Sequence, residues 1–163
     1  ALNESNHILS INITADDILN QGTKEFLFHK LNASNKTENI IFELVESEGI
    51  ESFEEVKLFI DKVKSFGCQI AIDDFGTGYS NFEYLLKLEA DIIKIDGSLI
   101  RHIDTNTNSY NIVASIVSFA KKNNIEIVAE FVASAAIQEK IESLEIEFSQ
   151  GYFFGEPCFM EKI

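Results

Sequence analysis

Ile70-Ala71-Ile72-Asp73-Asp74-Phe75-Gly76-Thr77-Gly78-Tyr79-Ser80 is the stretch around which this chain is organised. Ile70, Ala71 and Ile72 form a short apolar run, as expected of a strand covered on both faces. The run ends in two adjacent carboxylates, followed at once by Gly76 and Gly78, which permit a tight turn or a close approach to a ligand. Two neighbouring carboxylates repel each other, and burying them uncompensated would cost several kcal/mol. A cation removes that penalty. Asp73-Asp74 therefore reads either as a divalent-metal site at a strand end or as a solvated acidic turn, and the rest of the chain must separate the two.

A length of 163 residues, 45% of them hydrophobic, suits one domain spanning 1–163 with a sizeable core. With 14 Phe and no Trp, Phe supplies the large packing volumes. A net charge of −14 argues against a surface for polymeric nucleic acid, which needs basic patches. It leaves room for a small anionic ligand, because bound metals invert the local field. Cys68 and Cys158 are few and far apart, which points to buried, reduced thiols. No apolar run approaches the ~20 residues of a membrane span, and residues 1–6 are polar, unlike a signal peptide. The expectation is a cytoplasmic acidic domain without membrane contact of its own, within a larger multidomain or membrane-tethered protein.

Working outward, His7 to Thr14 alternates apolar and polar residues and predicts a strand ending at a capping-type Thr14. A helix follows from about Ala15 to Leu31, its first turn carrying Asp16 and Asp17. Residues 32–38 are polar and loop-like. Ile40 to Glu46 is a second strand, and Ser52-Phe53-Glu54-Glu55 has capping-box spacing. Phe53, Val56, Phe59, Ile60 and Val63 then recur at helical spacing up to Gly67. Beyond the Asp-Asp strand come a helix over about 81–88 and a strand over 91–96. After a loop over 104–109, Ile112 to Ala120 forms an amphipathic helix. A strand over 125–130, a helix over 134–144 and a strand over 147–153 complete the chain.

Strand and helix alternate throughout, which predicts a parallel sheet with crossover helices. Polar residues fall late in each otherwise apolar strand: Asn12, Glu43, Asp73 with Asp74, Lys94, Glu130 and Gln150. In a (β/α) barrel the strand C-termini converge on one mouth, where active sites lie. Asn12, Glu43, Asp73, Asp74 and Glu130 are hard oxygen ligands, with no His or Cys at ligand spacing, which favours Mg²⁺ or Mn²⁺ over Zn²⁺ or copper. Several carboxylates suit a two-metal arrangement that activates a bridging water and clamps a phosphate. Lys94 adds a positive charge, and phosphodiester hydrolysis is the reaction class that follows. Simpler readings stand beside these. Lys94 and Asp96 could form a strand-end ion pair, Asn12 could stabilise a turn, Glu130 could be a solvated charge, and Gln150-Gly151-Tyr152 could be a bulge. Glu46 reads as an acceptor for a nearby loop rather than a ligand.

These residues resemble the EAL-domain cyclic-di-GMP phosphodiesterases over essentially the whole chain. The resemblance runs through Asn12-Ile13-Thr14, Glu43-Leu44-Val45-Glu46, Asp73 to Ser80, Lys94-Ile95-Asp96, Ala129-Glu130 and Gln150-Gly151-Tyr152 to Pro157. It implies a TIM-like (β/α) barrel that cuts cyclic di-GMP to linear pGpG with two Mg²⁺ or Mn²⁺ ions. By position, Asn12, Glu43 and Asp73 would ligate one metal. Asp73 and Asp74 would serve the other, with Glu130 close to it or to its water. Lys94 would be the catalytic lysine, and Gln150 and Gly151 would line the mouth. Glu46 would anchor the loop Gly76-Thr77-Gly78, which with the following helix would form a homodimer interface coupled to activity.

The sequence departs from the family in two ways. The Glu-Ala-Leu strand itself is absent, so the resemblance implies a domain truncated at its N-terminus, with about six of eight strands and weak or no activity as a fragment. The family's Glu-Gly-Val-Glu is here Glu130-Phe131-Val132-Ala133. That change motivates an alternative: a degenerate module that binds cyclic di-GMP, or a protein partner, without cutting.

Overall fold

A computed structural model describes residues 7–45, 53–77 and 82–158. They divide into two units, one ending at Ile93 and one beginning at Lys94. Six strands lie among the described residues, as the apolar runs predict.

The first unit holds β1 (Leu9–Ile13), β2 (Ile40–Val45), β3 (Gln69–Phe75) and the opening half of β4 (Ile92–Ile95), adjacent in that order. β1 and β2 pair in parallel, as do β2 and β3. Asn12 lies opposite Glu43, Glu43 opposite Ala71, and Val45 opposite Asp73. Opposed residues share a face and successive residues alternate faces. Ile11, Ile13, Phe42, Leu44, Ile70 and Ile72 therefore share one face, and Asn12, Glu43 and Asp73 share the other. Helix α3 (Phe53–Lys64) buries Val56, Phe59, Ile60 and Val63, the stripe its periodicity predicts. Phe59 meets Phe42 edge-on at 5.9 Å and stacks on Phe28 at 5.7 Å, so Phe does fill the large volumes. Each such buried side chain contributes roughly 1.5–3 kcal/mol.

The single helix expected over 15–31 is instead two, α1 (Ala15–Leu19) and α2 (Gln21–Asn32). Asn20 is the cause. It adopts extended backbone (φ −73°, ψ 116°), and its Oδ1 accepts from Thr23 N at 3.0 Å. A short polar side chain that bonds nearby backbone competes with helix continuation. Thr14 caps α1 as expected, accepting from Asp17 N at 3.1 Å while Asp17 Oδ2 accepts from Thr14 N. One 3₁₀ turn, Thr37–Asn39, interrupts the polar loop. The expected capping box at Ser52 falls outside the described residues. Asp91 ties the start of β3 to α3: its Oδ2 accepts from Ile70 N at 2.8 Å and its Oδ1 from Lys64 Nζ at 2.7 Å. Helix α4 (Phe82–Leu88) packs against α3.

The second unit holds the rest of β4, α5 (Gly97–Ile100), α6 (Thr107–Lys122), β5 (Glu126–Ala129), α7 (Ala135–Ser143) and β6 (Phe148–Ser149). Its strand order is β4-β5-β6, with β5 and β6 parallel. Helix α6 buries Val113, Ile116, Val117 and Ala120. It starts inside the expected 104–109 loop, because Asn106 Oδ1 accepts from Asn108 N and Ser109 N. Helix α5 is short and carries no periodic signal in the sequence; it forms because Asp96 Oδ1 accepts from Ser98 N at 2.8 Å. The last strand is two residues rather than the expected seven. Past Ser149 the backbone leaves the ladder to bond Val132, which donates to Gln150 O and accepts from Phe153 N.

Cys68 is buried, and burial pushes its thiol up to about 11. Cys158 is exposed, which corrects the expectation of two buried thiols; both are free. Among the described residues no helix is long and apolar enough to cross a membrane.

Asp96 supplies a pH test. Burial acts to raise its carboxyl, but hydrogen bonds from Ser98 and Gly97 and the nearby Arg101 charge outweigh it and hold the group below its ordinary 3.8. A folded-state value below the unfolded one stabilises fully above 3.8, and that stabilisation is lost as pH falls through the folded value. Asp96→Asn should therefore lower the urea midpoint at pH 7, with the difference from wild type shrinking below pH 3.8. A difference that stays constant with pH would refute this role.

Candidate functional site

In the first unit the register of three parallel strands does the positioning. Asn12 on β1, Glu43 on β2 and Asp73 on β3 share one sheet face because Asn12 opposes Glu43 and Asp73 lies two residues past Glu43's partner Ala71. Glu43 is a nearly buried carboxylate, 8% exposed. Asp74 does not continue the strand geometry. Its φ of +54° is left-handed, which swings its side chain out of simple alternation. Its backbone N–H donates to Asp73 Oδ1 at 3.1 Å, and each of the two Asp residues has a carboxylate oxygen within 4.8 Å of the other's. Thr77 closes the following turn by donating its N–H and Oγ1 to Asp74 O at 3.4 and 3.1 Å.

This donor set fits a hard divalent cation. It is all oxygen, it includes two adjacent carboxylates, and Glu43 is a nearly buried carboxylate on the same face. An Asp-Asp pair at 4.8 Å or less gains from an intervening cation what it would otherwise lose to repulsion.

In the second unit a buried ionic network forms between strand ends. Lys94 and Glu130 are 8% and 5% exposed. Lys94 Nζ lies 3.0 Å from Glu130 Oε1, and Gln150 Nε2 donates to the same oxygen at 2.6 Å. The backbone fixes this geometry. Glu130 N donates to Ile95 O, joining it to β4, and Gln150 N donates to Ala129 O, joining it to β5. Gly151 permits the close packing: a Cβ there would sit 2.3 Å from Val132 N and O. Burial rules out Glu130 as a solvated charge. Lys94 engages Glu130 while Asp96 caps α5, which assigns the two residues of the Lys-Ile-Asp motif different tasks.

Glu46 and Gly78 lie outside the described residues, whereas Gly76 and Thr77 form the turn after β3. Sequence reasoning missed Arg101 and did not foresee the placement of Phe131. With Ala133, Gln150, Tyr152, Phe154 and Glu156 they line a cleft of about 850 Å³ within the second unit. The available signal was Phe131 itself, a bulky residue at a position that resemblance associates with Gly.

A buried pair is fragile when halved, because the remaining charge is left uncompensated. Lys94→Met should cost about 3–5 kcal/mol in chemical denaturation, and the Lys94→Met/Glu130→Leu double variant should recover most of that loss. Additive losses in the double variant would refute the coupling.

The model of the EAL domain matches residues 1–157. The chain is 43% identical over 118 residues to the cyclic di-GMP phosphodiesterase PdeF of Escherichia coli K12, covering 72% of this chain and 16% of that protein. It is 38% identical over 152 residues to the cyclic di-GMP phosphodiesterase PdeA of Borreliella burgdorferi, covering 93% and 23%. The chain thus spans about a fifth of the length of these curated relatives. Among solved structures it resembles Klebsiella pneumoniae BlrP1 in a manganese/cyclic-di-GMP complex, with TM-score 0.85 and 30% identity over 93% of this chain and 39% of that one. This likeness and the six parallel strands make the fold a partial TIM-like α/β barrel. The chain belongs to the EAL-domain family.

Proposed function

We propose that this chain belongs to the phosphodiesterase domain of a cytoplasmic signalling protein, and that the full domain hydrolyses cyclic di-GMP to linear pGpG with two Mg²⁺ or Mn²⁺ ions. The observation that carries the reading is the register that puts Asn12, Glu43 and Asp73 on one sheet face beside Asp74. The relatives' names give the substrate class. In this reading Asn12, Glu43 and Asp73 hold one cation, Asp73 and Asp74 hold the second, and Glu130 stands near the second. Bound cations would lower the pKa of the attacking water and offset charge on the phosphodiester.

The remaining work falls to this chain's own residues. Lys94 presents its ammonium to the phosphate or the water, and its buried setting strengthens that charge. Glu130 orients the attacking water and accepts its proton. Gln150 fixes the Glu130 carboxylate and lines the substrate mouth with Gly151. One phosphodiester P–O bond breaks as the water oxygen bonds to phosphorus, and the departing ribose oxygen leaves as a hydroxyl by taking up the proton that Glu130 received from the water.

We further propose a homodimer through the turn after Asp74 and α4, where Leu86 is 48% exposed. Glu46, Gly76, Thr77 and Gly78 would couple that contact to the metal ligands.

The test is chromatography of cyclic di-GMP incubated with the full-length protein and Mg²⁺ or Mn²⁺. Wild type should yield pGpG, and Lys94→Ala or Asp73→Asn should abolish it. No product with either metal would overturn the reading. Tight binding without product would instead select a module that binds without cutting. Sedimentation of the same preparation should show a dimer that Leu86→Glu dissociates, and a monomeric wild type would remove the dimer from the proposal.

A further inference from the structure

Gln150 reaches the buried Glu130 from a strand that has little to hold it. Strand β6 is two residues long and pairs with β5 through Phe148 opposite Val128 and Ser149 opposite Ala129. Phe148 is 51% exposed, so its ring adds little packing. Yet the next residue, Gln150, places Nε2 at 2.6 Å from Glu130 Oε1. Backbone bonds hold Gln150 along the ladder: its N–H donates to Ala129 O, and its carbonyl accepts from Val132 N. A side-chain bond ties the strand end to the helix layer. Ser149 Oγ donates to Gln138 Oε1 on α7 at 3.0 Å.

We propose that Gln138 is a positioning residue: through Ser149 it sets the place of Gln150, and through Gln150 the orientation of the Glu130 carboxylate. The inference rests on the proposed phosphodiesterase reading, in which Glu130 accepts a proton from the attacking water. The direction of the bonds follows from their chemistry. Gln138 Nε2 donates to Glu142 Oε1 at 2.9 Å. A carboxylate only accepts, so the amide presents its NH₂ to Glu142 and its Oε1 to Ser149. The Ser149 hydroxyl must then donate, which fixes its rotamer. Helix α7 is a firm anchor for this bond. Ser134 Oγ caps it by accepting from Ile137 N at 3.3 Å, and Ile137 and Ile141, before and after Gln138, are 5% and 0% exposed. Successive side chains of a strand leave on opposite faces. Ser149 therefore meets α7 while Gln150 meets Glu130, and a shift of the strand end relative to α7 moves Nε2 relative to the carboxylate. Ser149 also lines the cleft beside Gln150, but its hydroxyl proton is committed to Gln138.

The test compares Gln138→Ala, Ser149→Ala, their double variant and Ser149→Thr in the full-length protein, each verified as folded by circular dichroism. Hydrogen exchange followed by mass spectrometry, without metal or nucleotide, should show faster exchange in the peptide containing Gln150 for both Ala variants. Turnover of cyclic di-GMP with Mn²⁺ should fall about tenfold in kcat, inside the range that a misplacement of about 1 Å can cost. KM should change little, because Glu130 acts on the water rather than on ground-state binding. The double variant should lose no more than either single variant, since both break one bond. Ser149→Thr retains the hydroxyl and should keep kcat near that of wild type. A tether that serves stability alone would lower the urea midpoint and leave kcat unchanged. Unchanged kcat in the folded Ala variants, losses that add in the double variant, or unchanged exchange at Gln150 would overturn the positioning role and leave the phosphodiesterase reading standing. Absence of turnover by the wild type would overturn both.

Discussion

A buried lysine and a buried glutamate 3.0 Å apart set the terms for the second half of this chain. Removing either charge from water alone is costly, so the two must be held together and further satisfied by hydrogen bonds. Gln150 supplies one such bond, at 2.6 Å to the same carboxylate oxygen. Meeting that requirement fixes the nearby backbone. Glu130 bonds across to β4, Gln150 to β5, and Val132 to Gln150. Phe131, directly after Glu130, takes a left-handed backbone, and Gly151, directly after Gln150, packs tightly against Val132. A buried ion pair is a weak source of stability compared with apolar packing of equal volume. Under the proposed function the pair supplies preorganised charge at the strand ends.

The first half gathers carboxylates on one sheet face. The parallel register of β2 and β3 brings Glu43 and Asp73 to the same face, and the turn at Asp74 adds another carboxylate beside Asp73. In a chain of net charge −14 these groups repel one another as well as the rest of the surface. Divalent cations would turn that repulsion into attraction. The opposite face of the same sheet carries Phe42, Leu44, Ile70 and Ile72, fully or nearly buried. The two-residue alternation of a strand thus separates core residues on one face from polar side chains on the other.

The elements that were legible in the sequence were those written in periodicity. The Val56, Phe59, Ile60, Val63 stripe gave α3, and the Ile70-Ala71-Ile72 run gave β3, because burial enforces the pattern. Hydrogen-bonding competitions were not legible. Asn20 splits a helix that composition alone reads as continuous, and Asp96 nucleates the short α5, which has no hydrophobic period. The early end of β6 likewise reflects a bond partner distant in sequence, Val132. At the candidate site, residue type and position late in each strand marked Lys94, Glu130 and Gln150. Their shared carboxylate oxygen was not visible, because it depends on which strands lie side by side. Arg101 left no trace at all, since an isolated basic residue beyond a strand end looks like any surface charge.

Calorimetric titration of the protein with Mn²⁺, wild type against Asp73→Asn, tests most directly whether the acidic sheet face exists to hold cations. Saturable binding by wild type, lost or strongly weakened in Asp73→Asn while the variant remains folded, is the predicted result. Mn²⁺ binding of equal strength in the two proteins, or none in wild type, would contradict it.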